Sequence, residues 1–309
     1  MGGDSHSDAG EGRAAPPPGR NRPAKARPGR RQRLLVPVFF IFLATALLAL
    51  RYLPLSAGDI EQQWIEFERA RRAALVGFGL ILPGTPDLAS LDGRLNAHGV
   101  ALGAPVFIRI FKREFELELW LLRDGRFHRF ATYPICRWSG RLGPKIAQGD
   151  RQAPEGFYTV DEKALNPASR WHRSFNLGFP NALDRALGRT GSLLMVHGGC
   201  ASIGCFAMTN AVIDEIWRIV TAALGNGQKR FQVQVFPFRM TETNLERHSA
   251  SPHAEFWRGL KAGHDLFASS LLPPKVSVCG ARYAVEAAGS AADGSTPIEA
   301  RCPAAKPAA

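Results

Sequence analysis

Between residues 106 and 135 apolar side chains recur at every second position, and this repeat constrains the fold more than any other feature of the chain. Val106, Ile108 and Ile110 share one face, and Phe115, Leu117, Leu119 and Leu121 continue the alternation; a period of two is the mark of a half-buried strand. Asp124-Gly125 then supplies the positive backbone angles of a tight hairpin turn, and Phe127 to Ile135 resumes an aromatic, strand-like run. The core therefore opens as an antiparallel meander.

Later segments mix both periods. Ser192 to Val196 is an apolar run that stops at His197-Gly198-Gly199, so a buried strand delivers a histidine to a turn. Thr209 is placed to cap a helix in which Val212, Ile213, Ile216, Ile219, Val220 and Ala223 form one stripe, ended by Gly225 and Gly227. A strand follows over Phe231 to Val235, then a helical pattern over Ser251 to Leu272 and a short hairpin from Val276–Val278 to Arg282–Val285. Upstream, Ile60, Trp64 and Phe67 fall on one face of a helix over Asp59 to Arg72, read as a stalk or a helix packed on the domain. The fold class is mostly β with helices, α+β, with one main domain and appendages.

The two ends differ from this body. Residues 1–33 carry eight Lys or Arg against three Asp or Glu, with Pro16 to Pro18 and many Gly and Ala, a composition that cannot bury enough apolar surface to order itself. Leu34 to Leu50 is uncharged and near the roughly 17 to 25 residues that a spanning helix needs. It reads as an uncleaved signal anchor over 34–55, with a cleaved signal peptide as the alternative. Arg30, Arg31 and Arg33 abut its start and only Arg51 lies beyond it, so the N-terminus is assigned to the cytoplasm. The expectation is a single-pass inner-membrane protein whose catalytic domain lies in the periplasm. About +7 of the net charge of +12 falls outside residues 1–33, with no nucleic-acid recognition motif beside it, so no nucleic-acid partner is expected.

Chemistry concentrates in His197 to Cys205, HGGCASIGC. A free thiol is largely protonated at neutral pH, and a nearby imidazole that takes its proton and holds the thiolate turns it into a nucleophile. Gly198, Gly199 and Gly204 permit close backbone approach, and the amides of Ile203, Gly204 and Cys205 are placed to converge on a tetrahedral oxyanion. No Asp or Glu lies near His197, so a carbonyl is the expected partner of its other ring nitrogen. Two other uses of these residues compete: a disulfide using Cys205, and a metal site through His197, Cys200, Cys205 and Cys136. His-x2-Cys-x4-Cys is not a regular zinc spacing, and neither a metal nor a cofactor is expected. Cys136 and Cys200 read as a disulfide or as two buried thiols, and Cys279 and Cys302 as incidental. His172, near Trp171 and Arg173, is a candidate for a substrate groove. The long segment Cys136 to Gly156 reads as a wall of that groove, where Lys145 or Arg151 meets carboxylates and Glu155 or Asp150 meets an amine.

A strand ending in His197-Gly198 followed by Ser202-Ile203-Gly204-Cys205 resembles the L,D-transpeptidase catalytic domain, the YkuD domain. The stretches VFIRIFKREFELELW, TYPICRWSGRLGPK, GDRQAPEGFY and FPFRM resemble its YafK-like branch. The resemblance implies a YkuD-type β-sandwich catalytic domain over 91–240. Around it lie a disordered basic cytoplasmic tail (1–33), the anchor (34–55), a helical stalk (56–90), a helical and short-strand extension (241–286) and a disordered tail (287–309).

It also implies Cys205 as nucleophile and His197 as base, with Ser202, Ile203, Gly204 and Gly198 as backbone support. The substrate it implies is a diaminopimelate-containing stem peptide of peptidoglycan, forming a thioacyl-enzyme that passes to an amine acceptor. Two alternatives stand beside that. One is an amidase releasing a lipoprotein or outer-membrane protein attached to peptidoglycan, and the other is a catalytically silent peptidoglycan-binding protein. The chain departs from the family pattern in its short His-to-Cys spacing, in Ile203 where a second histidine is usual, and in Phe206 in place of the customary hydrophobic-then-Arg continuation.

Overall fold

The computed structural model describes residues 57–303, together with Ile41, Ala44 and Thr45. The tail expected over 1–33, most of the anchor expected over 34–55 and residues 304–309 lie outside the described residues.

Helix α1 (Ala57–Gly77) is where expected but faces the other way. Ile60, Trp64 and Phe67 are 57%, 42% and 64% exposed, while Arg69 and Arg72 are 4% and 8% exposed. The arginines are buried because the domain offers them acceptors and ring faces. Arg69 donates to Gly140 O at 2.7 Å and lies over Trp138 at 4.2 Å. Arg72 donates to Ile135 O at 3.1 Å and to Glu68 Oε1 at 2.8 Å, over the Phe115 ring. Partnered in this way, each guanidinium buries its stem while its charge is met, although Arg69 Nε is left without a hydrogen bond.

The single-pass inner-membrane placement with a periplasmic catalytic domain is corrected. Among the described residues no helix is long and apolar enough to cross a membrane. The helix α1, although 21 residues long, carries Asp59, Glu61, Glu66, Glu68, Arg69, Arg71 and Arg72.

A short helix, α2 (Leu91–Ala97), precedes the meander β1 (Val106–Phe111), β2 (Glu116–Arg123) and β3 (Arg126–Pro134). All three pair antiparallel in sequence order, with a bulge between Leu119 and Trp120. Asp124 and Gly125 both have positive φ, 50° and 75°, as a two-residue turn that follows the strand twist requires. The strand β4 (Gly156–Val160) closes the far edge, leaving room for one more strand from late in the chain.

A second sheet is made of very short strands, β5 (Leu165–Asn166), β6 (Ser174–Asn176), β7 (Met195–His197) and β8 (Phe206–Ala207), in that order. Between β6 and β7 lies α3 (Ala182–Ala186), closed by an Asn181–Asp184 capping box. The helix α4 (Asn210–Gly225) follows β8, with Thr209 Oγ1 accepting from Val212 N as its cap. Then β9 (Phe231–Phe236) inserts between β1, parallel, and β4, antiparallel.

One apolar core joins the layers: Ile108, Ile110 and Leu119 of the large sheet, Phe175, Val196 and Phe206 of the small one, and Val212, Ile213, Ile216 and Val220 of α4. This is the expected α+β arrangement of mixed sheets and helices.

The chain ends with α5 (Glu242–Arg247), α6 (Ala254–Ser270) and the hairpin β10 (Lys275–Cys279) with β11 (Arg282–Glu286). Residues after 287, read from composition as a loose tail, return to this hairpin. Val278 N donates to Glu299 O at 2.9 Å, and Cys302 is disulfide-bonded to Cys279. The cysteine pair taken as incidental is thus the tie that holds the segment.

Candidate active site

The small sheet brings His197 and Cys205 together through register. Val196 pairs with Phe206 and His197 with Ala207 in parallel, so Cys205 lies one step before β8 while His197 ends β7. The turn between them folds back onto the sheet: Met208 N donates to His197 O at 2.7 Å and Cys200 N to Met208 O at 3.2 Å. Asn210, at the start of α4, accepts from Gly199 N at 2.9 Å. A Cβ at Gly198 would stand 2.6 Å from that same Asn210 oxygen, so glycine is required there by contact. At Gly204 the requirement is conformational, since φ is +98°.

Cys205 is the free cysteine among the described residues. Cys136 and Cys200 form a disulfide with Cα atoms 5.2 Å apart, which leaves neither a thiolate to offer a metal and rules out a Cys200–Cys205 bridge in this state. The Cys205 Sγ accepts from Met195 N at 3.4 Å and donates towards Leu193 O at 3.6 Å. Burial pushes its pKa above the ordinary thiol value, against the Met195 amide and the charge of Lys145, which both pull it down.

His197 is buried, with Nδ1 2.6 Å from Gly198 O. A carbonyl can only accept, so Nδ1 carries the proton and Nε2 keeps its lone pair for another group. Burial lowers the pKa of His197 below the usual imidazole value, with the Gly198 hydrogen bond in partial opposition. Both members of the pair are therefore driven towards their neutral forms. Both shifts work against the ion pair anticipated from the sequence, and the recorded partners of the thiol are Met195 N and Leu193 O rather than the imidazole.

The remaining expected positions divide. Ser202 Oγ donates to Cys205 O at 2.7 Å and so fixes the backbone that carries the thiol. Gly204 N donates to Ser139 Oγ at 2.6 Å, which in turn donates to Arg151 O at 2.8 Å. Of the three amides expected to converge, the Gly204 amide is thus already occupied. Ile203 is 77% exposed.

Lys145 lies close enough for its charge to act on Cys205 and holds Asp150 and Ala147 O. Arg151 is exposed, with φ +55°, and contributes its carbonyl to Ser139. Glu155, expected to meet a substrate amine, is corrected. It is fully buried, 2.8 Å from Lys112 Nζ, and accepts from Gly143 N and from Trp257 Nε1, each at 2.7 Å. Lys112, itself buried, also meets the carbonyls of Arg141, Gly143 and Ala153 at 2.9, 2.9 and 3.0 Å, so this pair shapes the Cys136–Gly156 segment from inside.

Residues that the sequence reading missed are Ser139, Met195, Lys112 and Arg137. Strand alternation continued past Ile135 was the available signal for Arg137 and Ser139, which sit opposite the cysteine strand. His172 Nε2 lies 2.7 Å from Asp214 Oδ1, and its neighbour Trp171 lies with its ring centroid 6.1 Å from that of His197.

The chain matches the L,D-transpeptidase catalytic domain family, YkuD, over residues 107–241. It is 50% identical to the "Putative L,D-transpeptidase YafK" of Escherichia coli (strain K12) over 184 residues, covering 60% of this chain and 75% of that protein. Among solved structures, a mutant of the helical cell shape determining protein Pgp2 from Campylobacter jejuni aligns at a TM-score of 0.37 and 19% identity, over 60% of this chain and 68% of that one. Bdellovibrio bacteriovorus Bd1075 aligns at 0.32 and 18%, over 53% and 60%. The chain belongs to the L,D-transpeptidase catalytic domain family, and its function is of the L,D-transpeptidase type.

Proposed function

We propose that the protein is a peptidoglycan-directed cysteine acyltransferase that forms a thioacyl-enzyme on Cys205. The observation that carries this reading is the register that sets His197, its Nδ1 held by Gly198 O, on the strand next to the one the free Cys205 leads into. His197 Nε2 takes the thiol proton as Sγ attacks the carbonyl carbon of a diaminopimelate-containing stem peptide. The negative charge that develops on the carbonyl oxygen is met by the backbone amides of Ile203 and Cys205, the Gly204 amide being held by Ser139. The proton on His197 then passes to the departing amine, the C–N bond breaks, and the thioester remains. An incoming amine, deprotonated by the same nitrogen, attacks the thioester carbon, the C–S bond breaks, and the proton on His197 returns to the Cys205 sulfur.

Hydrolysis is a second reading, favoured by the exposure of Leu193 and Ile203, 62% and 77%, which leaves water a route to the thioester. Release of a protein attached to the wall belongs to this second reading. Incubating the full chain with stem peptides and isolated sacculi, wild type beside Cys205→Ala, and analysing products by mass spectrometry tests both. A new amide cross-link dependent on Cys205 indicates transfer, and a product with water added indicates hydrolysis. Wall binding unaffected by Cys205→Ala, with no turnover in either protein, sinks both in favour of a binding protein.

A further inference from the structure

Arg137 crosses the cysteine strand. Ala207 N donates to Arg137 O at 2.8 Å and Arg137 N to Ala207 O at 3.1 Å, an antiparallel bridge, while Ala207 is also the register partner of His197. Residues opposite one another in either kind of pair project to the same face of a sheet. Arg137, Ala207 and His197 therefore form a row across three strands, two residues beyond Cys205, and the middle side chain of the row is only a methyl group.

Lys145 already holds Asp150 and Arg173 holds Asp214, and Arg151 and Arg170, which make no ion pair among the described residues, are exposed. Arg137 is half-buried and makes no ion pair among the described residues. Its charge even works against Arg69, which lies nearby. A half-buried guanidinium without a counter-ion among the described residues, in register with His197, is suited to a planar anion, which it can meet with two parallel hydrogen bonds.

We propose that Arg137 binds a free carboxylate on the acyl-donor residue of the substrate, beside the scissile amide, and so selects acidic stem peptides. This rests on the peptidoglycan reading for the identity of the donor. It is a specificity-determining contact and takes no part in proton transfer.

The test is calorimetric binding to the full-length Cys205→Ala protein, using a diaminopimelate stem peptide and the same peptide with that side-chain carboxylate amidated. With Arg137 present, amidation is expected to weaken binding about 10- to 100-fold, the worth of a hydrogen-bonded charge pair. With Arg137→Ala the acid peptide binds as weakly as the amide, within about two-fold, and Arg137→Lys recovers part of the preference. A preference that survives Arg137→Ala, equal binding of both peptides to the parent, or binding of neither overturns the inference. Because the bridge to Ala207 is backbone only, these variants keep it, and thermal unfolding checks the fold. Turnover by the Cys205-containing protein is measured separately: Arg137-dependent binding without turnover leaves this inference standing and removes the enzymatic reading.

Discussion

Lys112 with Glu155, and His197 with the partly buried Cys205, are polar groups taken out of water in opposite ways. Lys112 and Glu155 are fully enclosed, charged groups with every direction filled: three carbonyls around the ammonium, and a backbone amide and an indole on the carboxylate. His197 and Cys205 are pushed by burial towards neutrality, and one imidazole nitrogen has no protein hydrogen bond among the described residues. A satisfied charge is structure; a buried group with spare capacity beside an exposed rim is where chemistry can start.

That contrast can be broken by mutation. Lys112→Ala leaves Glu155 as an uncompensated buried charge and is expected to cost about 3–5 kcal/mol in chemical denaturation. Cys205→Ala, by comparison, should change stability by less than about 1 kcal/mol. If Lys112→Ala proves as mild as Cys205→Ala, the division between a structural and a chemical pair fails.

The next largest effect concerns the Cys136–Cys200 cross-link. Replacing Cys136 and Cys200 together by Ser removes a cross-link over 64 residues and is expected to lower stability by about 2–4 kcal/mol. Equal melting temperatures with and without reductant would contradict it.

The pH dependence sharpens the comparison in kinetic terms. Protonated His197 cannot accept the thiol proton, so kcat/KM falls as pH drops through the His197 pKa. Burial places that pKa below 6.5, so at least half of maximal kcat/KM should remain at pH 6.5. Iodoacetamide labelling of resting Cys205 should rise only on the alkaline side, since its thiol lies above the ordinary 9.0. An acid limb centred above pH 7, or rapid labelling at pH 6, would restore the ion-pair picture.

The smallest effect separates the two faces of α1. Phe67→Ser on its exposed side should stay within about 0.5 kcal/mol. Arg69→Ala on its buried side strips a carbonyl and a ring of their partner and should cost about 1–3 kcal/mol by thermal unfolding.

Local patterns in the sequence foretold local structure. The meander, the Asp124-Gly125 turn, the Thr209 cap and the buried stripe of α4 all follow from residues a few positions apart. In α1 the same periodicity located a helix but chose the wrong face, because the acceptors that bury Arg69 and Arg72 come from Gly140 and Ile135, far along the chain. Glu155 was misplaced for the same reason: its partner lies 43 residues upstream. The apolar run before His197 marked β7, whereas the two-residue β8 carries too little alternation to be read. Alternation past Ile135 could have marked Arg137 and Ser139 as strand-like, but which strand they approach emerges only from the pairing.

The central claim is that Cys205 carries the acyl group after His197 takes its proton. Its most direct test is to mix full-length protein with a stem tetrapeptide, quench in acid and map the adduct by mass spectrometry. The account predicts a thioester on the peptide containing Cys205, absent in Cys205→Ala and strongly reduced in His197→Ala. An adduct on another residue, or unchanged peptide turnover by Cys205→Ala, would contradict it.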